Sequence, residues 1–217
     1  MGLLDRLGSR REPEPLLAPV VDTGEPQYPT KALRKLLSTL TNRQSPSLMD
    51  LGPVVGSNLT FFGEELGCKM FIEDTYAELE RHARAGTMEQ LPAYLNRRFT
   101  QPDSSVDGIL CWDLIEYLDK ASAKELADQL TRILRPEGSL LAFFSTVQPR
   151  DVSYTKFIIA DDTHLKHRPY PASRGRQAVL ANRDIIQLFS GLRVSDSFLM
   201  KNNVREILFR KPAYDTR

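Results

Sequence analysis

Short apolar runs alternate with stretches of helical periodicity along most of the chain. Leu33, Leu36, Leu37 and Leu40 recur at helical spacing and predict an amphipathic helix soon after Thr30. Residues 47–51 read as a first strand, and the helical pattern that opens at Ser57 ends at Gly67. Residues 69–73 read as a second strand. Thr75-Tyr-Ala-Glu78 has the form of a capping box, with its helix stopping near Gly86. Residues 88–99 read as helix rather than strand, and 106–112 as a buried strand. A second capping-box pattern, Ser122-Ala-Lys-Glu125, opens a helix with Leu126, Leu130, Ile133 and Leu134 on one face. Pro136-Glu-Gly138 ends it, and 139–145 is the next strand. A helix is predicted over 177–189 and final strands over 192–200 and 204–210, joined by a turn at Asn202-Asn203. The alternation predicts a single three-layer α/β domain: a mainly parallel sheet, helices on both faces, and an antiparallel C-terminal strand pair.

Two segments stand outside that alternation. Residues 1–29, rich in Pro, Glu and Arg, read as a flexible leader ahead of a domain spanning 30–213. Residues 154–170 read as a hairpin inserted around Asp161-Asp162.

The chain has 217 residues and a net charge of +1, so a large nucleic-acid surface is not expected. Residues 147–217 carry 13 Lys/Arg against 7 Asp/Glu, and such a basic third suits either a solvated face or an anionic small-molecule acceptor. Cys68 and Cys111 lie in or beside apolar runs and are expected to be buried reduced thiols; no Cys/His pattern suggests a metal. No stretch is long enough to span a bilayer, and the first residues lack a secretory signal's apolar core, so a cytoplasmic location is expected. Nothing in the sequence assigns an oligomeric state.

The chemistry concentrates at residues 48–58. A short apolar run ends in Asp50, a turn holds Gly52, Pro53 and Gly56, and a helix opens at Ser57-Asn58. Glycine lets the backbone approach a ligand and the helix end offers unpaired N–H groups, as a nucleotide-like ligand requires. Glu73 and Asp74 close the second strand, where a carboxylate can accept two hydroxyl hydrogen bonds or, alternatively, act as a helix N-terminal charge.

Four motifs in order resemble those of class I S-adenosylmethionine-dependent methyltransferases, which have a Rossmann-like fold. Asp50, Gly52 and Gly56 match the first-strand motif, with Val54 in place of its middle glycine. The stretch from Pro102 to Leu118 is similar to the family's fourth strand and following loop, with Asp107, Cys111, Trp112 and Asp113 in matching places. Leu134-Arg-Pro-Glu-Gly138 resembles the bend before the fifth strand, and 204–212 its last strand. The resemblance implies S-adenosylmethionine as cofactor, held by Asp50, Gly52, Pro53, Gly56, Asn58, Glu73, Asp74, Trp112 and Asp113. Glu73 takes the ribose hydroxyls, and Trp112 borders the sulfonium or serves as a core aromatic. The family's third strand, which touches the adenine, has no counterpart; Asn96 or a nearby amide is the candidate contact.

The implied reaction is methyl transfer to oxygen or nitrogen of a small molecule. His164, His167 and Tyr170 are the candidate bases, or exposed hairpin residues. Arg168, Arg174 and Arg176 form either an anion clamp or a solvated loop. Competing readings are a non-catalytic scaffold that keeps the fold and, further off, an NAD-dependent oxidoreductase.

Overall fold

The computed structural model describes residues 25–148, 151–177 and 179–213. Its centre is a six-stranded sheet in the order β3-β2-β4-β5-β9-β8. Strands β2 (Ser47–Asp50), β3 (Lys69–Ile72), β4 (Val106–Trp112) and β5 (Leu134–Ser145) run parallel. Strands β8 (Arg193–Leu199) and β9 (Val204–Arg210) add an antiparallel pair against β5. This is the expected arrangement.

The central strands bury both faces, and alternate residues divide between two cores. Met49, Ile109, Cys111, Leu140, Ala142 and Phe144 face one side, under α3 (Thr75–Ala85), α4 (Leu91–Arg98), α5 (Lys120–Ile133) and α6 (Asn182–Leu188). Leu48, Leu110, Trp112, Leu141 and Phe143 face the other, where Leu33, Leu36 and Leu40 of α1 (Ala32–Thr41) pack with Phe62. Phe62 lies in a π-helical turn, Thr60–Glu65, that continues α2 (Gly56–Leu59). Glu206, buried on β9, caps α1 by accepting from the Lys31 and Ala32 amides at 2.9 and 3.0 Å. Cys68 and Cys111 are both buried and unpaired.

A second, three-stranded sheet holds β1 (Gln27–Pro29), β7 (His164–Pro171) and β6 (Ser153–Asp161) in that order. The flexible leader expected through residue 29 is therefore corrected at its end, because Gln27–Pro29 pairs with β7; residues 1–24 lie outside the described residues. Asn58 docks the hairpin onto α2. Its Nδ2 donates to Phe157 O at 2.8 Å and its Oδ1 accepts from Ile159 N at 2.9 Å.

Other differences have local causes. Both capping boxes are displaced by aspartates upstream: Asp74 accepts from Ala77 N, and Asp119 from Ala121 N and Ser122 N. The helix predicted over 177–189 shrinks to α6, since the Gln177 amide donates to Glu116 O instead. In place of a third parallel strand stands α4, whose Leu91 and Leu95 are fully buried one turn apart. Among the described residues no helix is long and apolar enough to cross a membrane, and no group of three or more His, Cys, Asp or Glu is placed to hold a metal.

Candidate functional site

The carboxyl ends of β2, β3 and β4 bring the sequence candidates together. The Glu73 amide donates to Asp50 O at 2.8 Å and the Thr75 amide to Leu51 O at 3.1 Å, so the glycine bend and the second acidic turn are neighbours. Asp50 is buried. Its Oδ1 accepts from Gly52 N at 2.8 Å and from Trp112 Nε1 at 2.6 Å. Burial pushes its pKa up to about 6 against those two hydrogen bonds, and the negative charge of Asp74 adds to the rise.

Gly52 is required by close approach: a Cβ there would lie 2.9 Å from Trp112 Nε1 and 3.1 Å from Asp50 Oδ1. Gly56 has open space around it, and Val54 between them is exposed. Trp112 ends β4 with a φ of 53°, a left-handed conformation that costs a bulky residue about 1–3 kcal/mol and that concentrates at functional sites. Its indole stacks on Phe157 (5.0 Å between centroids, 9° between planes) and meets Phe143 edge-on. With the Asp50 hydrogen bond, these contacts leave it 2% exposed, a wall aromatic tied into the core.

Glu73 lies beside the bend, and both of its oxygens already have partners. Oε1 accepts from Gln101 Nε2 at 3.1 Å and Oε2 meets Arg98 Nη2 at 2.5 Å. Asp74 caps α3 through Oδ1, which is the alternative the sequence left open for it. Pro53 is half-buried in the bend, and Asn58 is committed to the hairpin through both ends of its amide. Asn96 bonds Glu125 on the exposed side of α4, and the buried Leu95 precedes it.

At the β4 end, Asp113 accepts from Tyr76 Oη at 2.5 Å and pairs with Arg176. Arg176 also meets Glu116 Oε2 at 2.8 Å and lies over the Tyr117 ring at 5.0 Å. Glu116 accepts in addition from Ser145 N at 2.6 Å and Ser145 Oγ at 3.0 Å. Burial and the nearby Asp113 raise its pKa to about 7, outweighing Arg176 and the Ser145 bonds.

A cavity of about 50 Å³ opens between Asp113, Glu116, Ser145, Thr155, His167 and Arg176. That is room for a few waters. A larger groove of about 380 Å³ runs beside Ser57 along Ile158–Asp161 of β6 and Lys166 of β7.

The three candidate bases separate. His164 bonds Thr163 and Asp161 at the hairpin turn. His167 lines the small cavity, packed on Phe157 and Tyr28. Burial, aided by Arg176, lowers its pKa to about 4, so it is neutral near pH 7. The Tyr170 hydroxyl is buried without a hydrogen-bond partner, and burial together with nearby carboxylates holds its pKa well above the usual value. Arg168 pairs with Glu25 and Arg174 with Gln177, so with Arg176 all three arginines have internal partners.

Tyr76, Arg98, Gln101 and Glu116 are site residues the sequence did not single out. Glu116 had a signal, its three-residue spacing from Asp113, which places both acids on one side of a turn.

In kind, these residues suit an adenosyl ligand at its sugar end. There the acid Glu73 sits next to a glycine bend, and its Oε2, buried, lacks an aligned hydrogen bond. Helix α4, which stands in place of a third strand, turns Leu95 into the core.

No curated protein matches the chain in sequence. Among the solved structures that share its fold are two with differing descriptions. The PH0226 protein from Pyrococcus horikoshii is 15% identical with a TM-score of 0.50, over 83% of this chain and 89% of that one. A Burkholderia thailandensis 1,6-didemethyltoxoflavin N1-methyltransferase, solved with 1,6-didemethyltoxoflavin and S-adenosylhomocysteine, is 14% identical with a TM-score of 0.50, over 83% and 78%. The family model described as a methyltransferase domain matches residues 25–192. That match spans the glycine bend, the acidic turn, β4 and the hairpin alike, and by it the chain belongs to the methyltransferase domain family.

Proposed function

We propose that the protein transfers a methyl group from S-adenosylmethionine to an oxygen or nitrogen of a small-molecule acceptor. The observation that carries this reading is the junction of β2 and β3, where Glu73 N meets Asp50 O at 2.8 Å and sets two acids on either side of the Gly52–Gly56 bend. Asp50 braces the bend through Gly52 N, and Glu73 faces the ribose hydroxyls. When bound, the donor supplies an electrophilic methyl group on a sulfonium, and transfer needs chiefly alignment and exclusion of water. The aromatic wall of Trp112, Phe143 and Phe157 provides that exclusion. For an acceptor that keeps its proton near pH 7, Glu116 is a better-matched base than His167: its pKa is about 7 against about 4, and both line the same cavity.

A second reading, a scaffold that keeps the fold without the chemistry, is favoured by the internal partners of Glu73 and the small size of the cavity. Thermal unfolding separates the two. S-adenosylhomocysteine at a hundred times its dissociation constant stabilises the native state by about 2.7 kcal/mol. In a domain of this size that raises Tm by roughly 5–10 °C. A rise with S-adenosylhomocysteine and none with NAD is the expected result. No rise with either ligand overturns methyl transfer in favour of the scaffold, and a rise with NAD alone makes the protein an oxidoreductase.

A further inference from the structure

We infer that Arg98 is a built-in gate on the ribose acid, occupying Glu73 until an adenosyl ligand displaces it; this rests on the donor reading above. The two groups on Glu73 differ in how firmly they are held. Gln101 belongs to a loop pinned by Arg132 of α5, which donates to Phe99 O at 2.7 Å, Gln101 O at 2.9 Å and Asp103 Oδ1 at 2.8 Å. Gln101 therefore stays on Oε1. Arg98 sits in the last turn of α4 with its side chain 45% exposed, reaching back to a carboxylate whose own side chain is 10% exposed. Its guanidinium meets Oε2 at 2.5 Å, yet Oε2 has no aligned hydrogen bond. A sugar hydroxyl can supply that bond, and the long arginine can swing into water.

The gate also gives helix α4 a role. By replacing the third strand, α4 brings a cation to the acid that a strand ending in a short polar residue would leave open. With its arginine half open to water, the pair is worth about three- to fivefold in an equilibrium, enough to tune ligand affinity without closing the site.

The test is calorimetric titration of S-adenosylhomocysteine into the full chain and into Arg98→Gln, with circular dichroism confirming that both are folded. The variant is expected to bind roughly three- to fivefold more tightly, and the gain should vanish for an analogue lacking both ribose hydroxyls. Binding by both proteins with equal or weaker affinity in the variant overturns the gate and leaves the donor reading standing. A gain that persists with the analogue also overturns it, since Arg98 would then be acting elsewhere than at the ribose. Binding by neither folded protein removes the donor reading and the gate together.

Discussion

Replacing Arg176 with methionine is expected to destabilise the protein by about 3–5 kcal/mol, the largest effect of any single change considered, because it strands two buried carboxylates. Arg176 is the shared counter-charge of Asp113 and Glu116, whose side chains are 4% and 1% exposed. Methionine keeps an unbranched side chain of comparable length and supplies no charge, so the guanidinium over the Tyr117 ring is lost as well. Tm should fall by about 8–15 °C in denaturation scans.

The loss should depend on pH in a defined direction. The folded pKa of Glu116, about 7, lies above its ordinary 4.5, so the native state holds that proton more tightly than the unfolded chain. The stabilising contribution of this group is fully present below about pH 4.5 and is lost as pH rises through about 7. Without Arg176 the carboxyl is harder still to ionise. The variant should therefore be penalised more at about pH 8 than at about pH 5. An equal loss at both would mean that Glu116 does not depend on Arg176 for its charge.

Asp107→Ala is expected to cost about 3 kcal/mol, with a pH dependence confined to a more acidic window. Asp107 is the second residue of β4, 1% exposed, and ties three parts of the chain together. Its carboxylate accepts from Ser47 N and Ser47 Oγ, both at 2.8 Å, from Arg135 Nη1 at 3.1 Å, and pairs with Arg43 at 3.2 Å. Truncation orphans the first amide of β2. The two arginines, 30% and 45% exposed, can recover water, which keeps the cost below that at Arg176. Burial alone would raise the pKa of Asp107, but the Ser47 bonds and the Arg135 charge together hold it below the ordinary value. A depressed carboxylate stabilises above its unfolded pKa, about 3.9, and loses that contribution as pH falls through the folded value. Both gaps between wild type and variant should close on acidification, the Arg176 gap between about pH 8 and pH 5 and the Asp107 gap only below about pH 4. A gap that stays constant below about pH 4 would show that packing, not charge, makes Asp107 important.

The parts of the fold legible in the sequence are those set by local pattern. The central strands are apolar on alternate residues toward two cores, so β4 and β5 stand out as continuous runs, and Gly67 and Gly86 mark helix ends with φ of 65°. The neighbourhood of Asp50, Gly52 and Glu73 was legible because it follows from chain position at strand ends. What escaped was set by distant partners. Arg98 matters only because Glu73 lies beside it, 25 residues earlier in the chain. Asn58, expected at the ligand, is taken by a hairpin about a hundred residues on. The two caps were misplaced for a different reason: an aspartate just upstream offers a charged acceptor to the first free amides, and a Thr-x-x-Glu or Ser-x-x-Glu pattern inside the first turn cannot outcompete it.

The most direct test of the whole account is amide hydrogen exchange of the full chain with and without S-adenosylhomocysteine, because it reports where the ligand sits as well as whether it binds. Slower exchange in peptides covering residues 51–58 and 72–76, the bend and the turn that carries Glu73, is the expected result. Unchanged exchange in those peptides at saturating ligand, or protection confined to other parts of the chain, would contradict it.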